Sequence, residues 1–596
     1  MKQARKPNTI PLCSVRFYLL CGLLSFGFVA LMARAVYLQI DESEKLIKQA
    51  DSRSVRTKGV ASYRGNIVDR NGIELASSVP VKSVWMDVTQ VYKKSPLLNE
   101  NDWNKLAVIA QKTPLKFKQW VAKRKSRQFV WVARHLDPQM ANLVAKLDLP
   151  GVYLQNESRR YYPSAEISAH IVGFTNVDDQ GQEGLERSYD AWLSGQTGSE
   201  KVRMDLQRHV IEQKKIISEA KTGSVLQLSI DARIQAIAYK ALKTAVLKHK
   251  AKAGALVMID IETSEVLALV SQPSYNPNRF DLRRSELTRN RAFTDSFEPG
   301  STAKPFTVIS ALEAGIVNPN SKIDTSPGRI KIGRKWIPDG RNNGVLDIGG
   351  IIKKSSNVGV TKLAMMMEDS DFLKSFYSVG FGVDTASGFP GESAGRFNIR
   401  PHWSDIEKAT LAYGYGFTVT PVQLAQAYAI LGAHGIKRPL SLVKLQQPSD
   451  GERVLSERAS AQVLRMMETV VNEGGTGQKA SVEGYRIAGK TGTARKAVGG
   501  GYGDEYTVFF AGIAPVSHPK VAMVVFVDEP GSEDYYGGQV AAPVFAKVAA
   551  DTLRLLNIKP DQVISKLDNP SDNKISKLAS QNSKSAMRLS KNVGHN

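Results

Sequence analysis

Cysteine is nearly missing from this chain: Cys13 and Cys21 are the only two, and the sequence beyond them is free of it. That length can hold neither a disulfide framework nor a cysteine-ligated metal site. Also missing are zinc-finger spacing, an RNA-binding aromatic signature and any block of basic residues interleaved with aromatics. The net charge of +23 therefore points away from nucleic acid and toward anionic lipid head groups or an acidic cell-wall polymer. Apolar content is too low for a polytopic membrane protein, and composition is too balanced for wholesale disorder. No acidic residue precedes Phe17, whereas Lys2, Arg5, Lys6 and Arg16 do.

That basic flank introduces Phe17 to Ala33, which carries no charge, and apolar character resumes after Arg34. The run is long enough to cross a bilayer, and the positive-inside tendency places residues 1–14 in the cytoplasm. Residues 15–40 are expected to be a transmembrane signal anchor. Ala33-Arg34-Ala35 permits a cleaved signal peptide as the alternative, although an arginine inside the site and the length of the run disfavour cleavage.

With 596 residues, the chain should form two or more folded units. From about Ser52 to Lys221, short strand-like runs alternate with polar turns, and the one clear helix lies near Asp137 to Leu147; residues 52–221 read as an irregular α+β module. A new domain begins near Gly223. In it Val225 to Ile230 is a strand, Asp231 is an N-cap for a helix to about His249, and Gly254–Ile261 and Glu265–Gln272 form a hairpin. Arg486–Thr493, Thr507–Ala514 and Lys520–Asp528 are three further strands, and a helix runs from Ala541 to Leu556. Strands from both ends around a helical middle suggest one antiparallel sheet packed with helices over residues 223–556. Residues 557–596, polar and basic, are expected to be a disordered tail. The fold class is thus multidomain α+β.

Three short elements carry chemistry: Ser301-Thr-Ala-Lys304, Ser355-Ser-Asn357 and Lys490-Thr-Gly-Thr493. Each recurs by chance elsewhere, as Ser-x-x-Lys does at Ser218, Ser441, Ser517 and Ser571. Only one ordered triple falls on suitable elements of one domain. Pro299-Gly300 breaks the chain and Thr302 to Ala314 reads as a helix, so Ser301 lies at a helix start with Lys304 on the same face. A serine hydroxyl is a weak nucleophile until a base takes its proton, and lysine is such a base only when burial or a neighbouring cation lowers its pKa. Lys490 can be that neighbour, and can offer charge to a substrate carboxylate. Thr491 and Thr493 offer hydroxyls, Gly492 leaves room for a substrate backbone, and the N–H groups of Ser301 and Thr493 suit an oxyanion hole. Ser355 and Asn357 supply a relay and an amide anchor; read alone, Ser-Ser-Asn is an ordinary turn or helix cap.

The triple resembles the penicilloyl serine transferases, which include penicillin-binding proteins and serine β-lactamases. Ser-Ser-Asn in place of the class A β-lactamase Ser-Asp-Asn favours the former. Tyr63-Arg-Gly-Asn-Ile-Val-Asp-Arg-Asn-Gly72, Arg159-Arg160-Tyr161-Tyr162-Pro163, His170-Ile-Val-Gly-Phe174 and Gly184-Leu-Glu-Arg187 are similar to the pedestal of class B penicillin-binding proteins. The resemblance spans roughly residues 15 to 555. It implies a β-lactamase-like transpeptidase domain over 223–556 and a non-catalytic pedestal over 52–221. It also implies Ser301, Lys304, Ser355, Asn357 and Lys490 as catalytic residues, with Thr491, Gly492 and Thr493 at the substrate. The implied activity is D,D-transpeptidation of peptidoglycan stem peptides from lipid-linked precursor, without cofactor or metal, and β-lactams become covalent inhibitors. The order of parts is closest to the division-specific type, at the septum of the bacterial inner membrane with the catalytic domain periplasmic. An FtsW-like polytopic glycosyltransferase and other division proteins are the implied partners. An elongation-specific enzyme, a D,D-carboxypeptidase, and a non-catalytic β-lactam sensor or scaffold remain as alternatives.

Overall fold

The computed structural model describes residues 14–93, 99–205, 210–398, 400, 402–498, 501–531 and 535–562. It divides into two compact units, Met1–Tyr63 with Gly195–Thr222, and Arg64–Ser194 with Gly223–Asn596. In the first, the apolar run is the helix Ser14–Val36, continued as a π turn over Tyr37–Asp41, 28 residues long and apolar enough to cross a membrane. A helix Ser43–Ser54 follows, and then a strand Val55–Val60. That strand pairs antiparallel with Gly198–Met204, which also pairs with Val210–Ser218.

The second unit is built on a five-stranded antiparallel sheet. The elements that form this sheet and carry the site are, in chain order, α1 (Ala232–Lys248), β1 (Ala253–Asp260), β2 (Val266–Gln272), α2 (Lys304–Glu313), the hairpin β3 (Arg329–Ile332) and β4 (Lys335–Pro338), α3 (Ile348–Lys354), α4 (Asn357–Met365), β5 (Ala488–Val498), β6 (Gly501–Ala514), β7 (Val521–Asp528) and α5 (Gly537–Leu555). Sheet order is β2-β1-β7-β6-β5, so the two ends of the domain interleave and β5 is an edge. Asp231 caps α1, its carboxylate accepting from Arg233 N at 3.0 Å. Asp260 Oδ1 accepts from the N–H groups of Glu262 and Thr263, which turns β1 into β2.

The residues of β1, β2 and β7 and the second half of β6 read as apolar runs because both faces are covered. Ala255, Val257 and Ile259 pack with Phe306 and the helical middle, while Leu256 and Met258 pack with Leu242, Val246, Phe545 and Val548 of α1 and α5. At ~25 cal/mol per Å² of apolar area, burial on two faces is the main stabilising term for such a strand.

The Arg64–Ser194 part of the pedestal sequence packs in one compact unit with residues from Gly223 on. Asp69 Oδ2 accepts from Ala232 N at 3.0 Å, Arg70 pairs with Glu265 at 3.1 Å, and Asn278 bonds both backbone groups of Tyr162. The Asp-Arg-Asn-Gly turn is thus a cap on α1 as well as a turn. Some expectations need correction. Two pedestal helices beyond Pro138–Leu147 appear at Glu100–Ile109 and Pro114–Ala122, started by a capping box at Asn99 and by Thr113 before a proline. Of Val225–Ile230 only Leu226–Gln227 is laddered, in parallel with Ile67–Val68. The tail is ordered at its start: Tyr485 donates to Ile558 O at 2.6 Å, and Asp561 accepts from Arg486 N and Ser517 N. The rest of the expected tail, 563–596, lies outside the described residues, as do 1–13 of the expected cytoplasmic segment.

Candidate active site

Ser301 lies in a 3-10 turn, Gly300–Ala303, that leads directly into α2. The turn is packed from below: Gly300 N donates to Gly414 O at 2.9 Å and Tyr428 OH to Thr302 O at 2.9 Å. Gly414 has φ +88°, and a Cβ there would lie 1.9 Å from Gly300 O, so no other residue fits. Pro305, in the first turn of α2, costs no hydrogen bond.

Lys304, first residue of α2, is fully buried. Its Nζ donates to Ser355 O at 2.5 Å, Asn357 Oδ1 at 2.7 Å and Ser355 Oγ at 3.1 Å. Ser355 joins α3 to α4 in the left-handed region at φ 57°, ψ 41°, a conformation that costs a serine ~1 kcal/mol. The kink turns its hydroxyl toward the lysines. Ser356 is the α4 cap, accepting from Gly359 N at 2.8 Å. Cap and site are therefore alternate residues of one segment.

Lys490 projects from β5 and is also fully buried. Its Nζ donates to Ser355 Oγ at 2.9 Å and to Thr491 O at 3.1 Å. Ser355 Oγ in turn donates to Ser301 Oγ at 3.0 Å. One hydroxyl thus uses both acceptor sites on two lysines and its only proton on the nucleophile. Burial, then the charge of Lys490, push Lys304 well below the ordinary lysine range, against a smaller opposing pull from Asp339. Burial pushes Lys490 down to about 7.

All three elements meet, but not in every expected contact. Lys304 was expected to reach the nucleophile directly; the hydrogen bond to Ser301 Oγ comes from Ser355 instead. Lys490 lies beside Lys304 as expected, its Nζ on the shared Ser355 hydroxyl. At Gly492 a Cβ would come to 3.0 Å from Thr302 Cγ2 and from Phe509 Cδ2, so this glycine lets β5 abut the nucleophile turn. Thr491 Oγ1 is bonded to Thr476 Oγ1 at 2.8 Å, and Thr493 Oγ1 accepts from Gly537 N at 3.1 Å. The free edge of β5 leaves backbone groups for an extended ligand.

Asp339 is the residue that sequence reasoning missed. It accepts from Ser356 Oγ at 2.6 Å, Asn357 N at 2.5 Å and Val358 N at 3.0 Å, holding the start of α4. Pro-Asp-Gly reads as a turn, and nothing local announces a bond made to a helix 17 positions on. Gly414 was visible only as part of the Tyr-Gly-Tyr-Gly repeat at 413–416.

Comparison with known proteins agrees with this geometry. Residues 254–550 match the penicillin binding protein transpeptidase domain, and 60–228 the penicillin-binding protein dimerisation domain. Over 563 residues, 94% of this chain and 95% of the other, the sequence is 44% identical to the peptidoglycan D,D-transpeptidase FtsI of Escherichia coli K12. The chain belongs to the class B penicillin-binding proteins. This class B chain is also 38% identical to the probable peptidoglycan D,D-transpeptidase PenA of Neisseria gonorrhoeae, over 94% of its own length and 95% of the other. The solved transpeptidase domain of Burkholderia pseudomallei penicillin-binding protein 3 aligns at TM-score 0.52 and 43% identity, covering 56% of this chain and 98% of that one. A Bifidobacterium adolescentis peptidoglycan synthetase shares the fold at TM-score 0.66 over 85% of this chain and 98% of its own, with 23% identity.

Proposed function

We propose that this class B penicillin-binding protein is a peptidoglycan D,D-transpeptidase of the septal wall. The observation that carries the reading is the Ser355 hydroxyl bonded at once to Ser301, Lys304 and Lys490, with both lysines buried. Ser301 Oγ attacks the carbonyl carbon between the two terminal D-alanines of a stem peptide. For the attack the two hydroxyl protons turn, Ser301 Oγ donating to Ser355 Oγ and Ser355 Oγ to the lone pair of the neutral Lys304 amine, so that Lys304 gains a proton by this relay and delivers it to the leaving D-alanine nitrogen as the C–N bond breaks. Burial, aided by the charge of Lys490, keeps Lys304 neutral, Asn357 fixes the Lys304 amine, and the N–H groups of Ser301 and Thr493 receive the oxyanion. An amine of a second stem peptide then attacks the acyl carbon, and Ser301 regains its proton. A β-lactam enters by the same attack.

The apolar helix Ser14–Asp41 anchors the chain in the inner membrane, with the catalytic domain on the periplasmic side. An FtsW-like polytopic glycosyltransferase supplies uncross-linked strands. The test is acylation by a fluorescent penicillin followed by cross-linking of strands polymerised from lipid-linked precursor. Acylation with release of D-alanine to water alone would indicate a carboxypeptidase. Filamentous cells on depletion support the septal role, whereas rounded cells with protein along the side wall would overturn it.

A further inference from the structure

The hairpin β3–β4 lies next to the site and is not used by the chemistry above. Its register pairs Arg329 with Pro338, Ile330 with Ile337, Lys331 with Trp336 and Ile332 with Lys335. Because side chains alternate, Arg329, Lys331 and Trp336 share one face while Ile330, Ile332 and Ile337 share the other. Ile337 is buried, whereas Trp336 is 56% exposed, with the Arg329 guanidinium 4.8 Å from its ring centre. Arg334 in the turn and Arg341 just past the hairpin are exposed as well.

Between Gly328 and Gly344 the only acidic residue is Asp339, and its carboxylate is committed to Ser356 and the start of α4. Among the described residues, no carboxylate forms an ion pair with Arg329, Lys331, Arg334 or Arg341. Exposed cations often serve solubility alone, but these are concentrated around an open tryptophan and joined to the site. Asn357, a bonding partner of Lys304, donates through Nδ2 to Pro338 O, the last residue of β4, at 3.0 Å.

We propose that the Arg329–Lys331–Trp336 face docks the uncross-linked glycan strand whose stem peptides enter the site, an inference that rests on the transpeptidase reading. Free carboxylates of the stem peptides are complementary to the cations. A broad aromatic face beside them suits the apolar face of a sugar ring. Attraction by unpaired surface cations also predicts a strong dependence on salt.

The experiment uses full-length protein in detergent and uncross-linked strands made from lipid-linked precursor, with variants Arg329→Glu/Lys331→Glu, the milder Arg329→Gln/Lys331→Gln, and Trp336→Ala. Charge reversal should raise the apparent KM for strands by about tenfold, and the other two variants by about threefold, with the salt dependence flattened in both charge variants. The rate of acylation by fluorescent penicillin should not change. Co-sedimentation with the same strands should weaken in parallel, and it reads the surface even if the wild-type chain proves not to cross-link. Unchanged KM and strand binding overturn the proposal. So does an equal fall in penicillin acylation, which would mean that the hairpin only props Asn357. Loss of binding to phosphatidylglycerol vesicles with strand binding intact would assign the face to lipid and overturn it too.

Discussion

Two pairs of buried cations occupy the same unit and are resolved in opposite ways. In the pedestal part, Glu186 is fully buried between Arg64 and Arg160, each Nε lying 2.6 Å from one of its oxygens, and Asp190 adds a second carboxylate at 2.7 Å from Arg64. In the site, a neutral hydroxyl lies between Lys304 and Lys490. Burial alone would lower Arg64, but Glu186 and Asp190 hold it above its ordinary value. Among the described residues no carboxylate is bonded to either lysine, and the pull of Asp339 on Lys304 is outweighed by burial, so both fall. A buried cation with a carboxylate partner stays charged and locks structure, whereas a buried lysine without one surrenders its proton easily and becomes a base. The choice of residue follows, since arginine cannot deprotonate and lysine can.

The sharpest break removes the group that both lysines serve. Ser301→Ala should abolish covalent penicillin labelling while the protein stays folded and membrane-bound; persistent labelling would refute the assignment. Lys490→Met should slow acylation by a factor on the order of 100 to 1000, yet unfold no more easily, because it removes a buried charge that costs stability. Unfolding by denaturant and acylation kinetics on the same sample check both halves. The converse applies to the pedestal: Glu186→Ala strands two buried guanidinium groups, at a cost of about 3–5 kcal/mol. Acylation per folded molecule should be unaffected at low temperature.

A gentler test uses pH. The neutral Lys304 amine is the working form and its pKa is held well below the ordinary lysine range by burial and the neighbouring Lys490, so acylation should persist at neutral pH and fall only as pH is lowered through that depressed value, read as the pH–rate profile of penicillin acylation. The stability effect has its own sign. Burial lowers the folded pKa of Lys490 from 10.5 to about 7, so between those values the unfolded chain holds the extra proton. Stability from this group therefore falls as pH is lowered from about 10.5 to about 7 and is flat below. Lys490→Met should remove that slope. The smallest expected effect is Ser356→Ala, which takes the cap from α4 for ~1 kcal/mol and should disturb acylation only through Ser355 and Asn357.

The sequence made the site legible because its chemistry is written in short local strings, each with its own helix start or strand. The sheet was legible for a related reason: β1, β2, β7 and the second half of β6 are apolar at most positions, a pattern that burial on both faces demands. What stayed hidden depends on contacts between distant segments. Asp339 looks like a turn residue until α4 is laid beside it. The close approach of Thr302 to Gly492 shows only when β5 is laid against the nucleophile turn. The bond of Lys490 to the shared hydroxyl depends on the left-handed kink at Ser355, which a serine in a Ser-Ser-Asn string does not advertise. The helices at Glu100 and Pro114 were missed because they are short, and their strongest signal, the caps at Asn99 and Thr113, is no different from a loop.

The order of strands also bears on how the enzyme is made. β1 is synthesised early but lies between β2 and β7, with Ala253 facing Asp528. Until the last strand has left the ribosome, the hairpin β1–β2 has an apolar edge with no partner, and β5, carrying Lys490, has no sheet to join. Such late closure is slow and exposes sticky surface while it waits. The nucleophile and its two lysines are therefore assembled among the last events of folding, after every strand of the sheet is available.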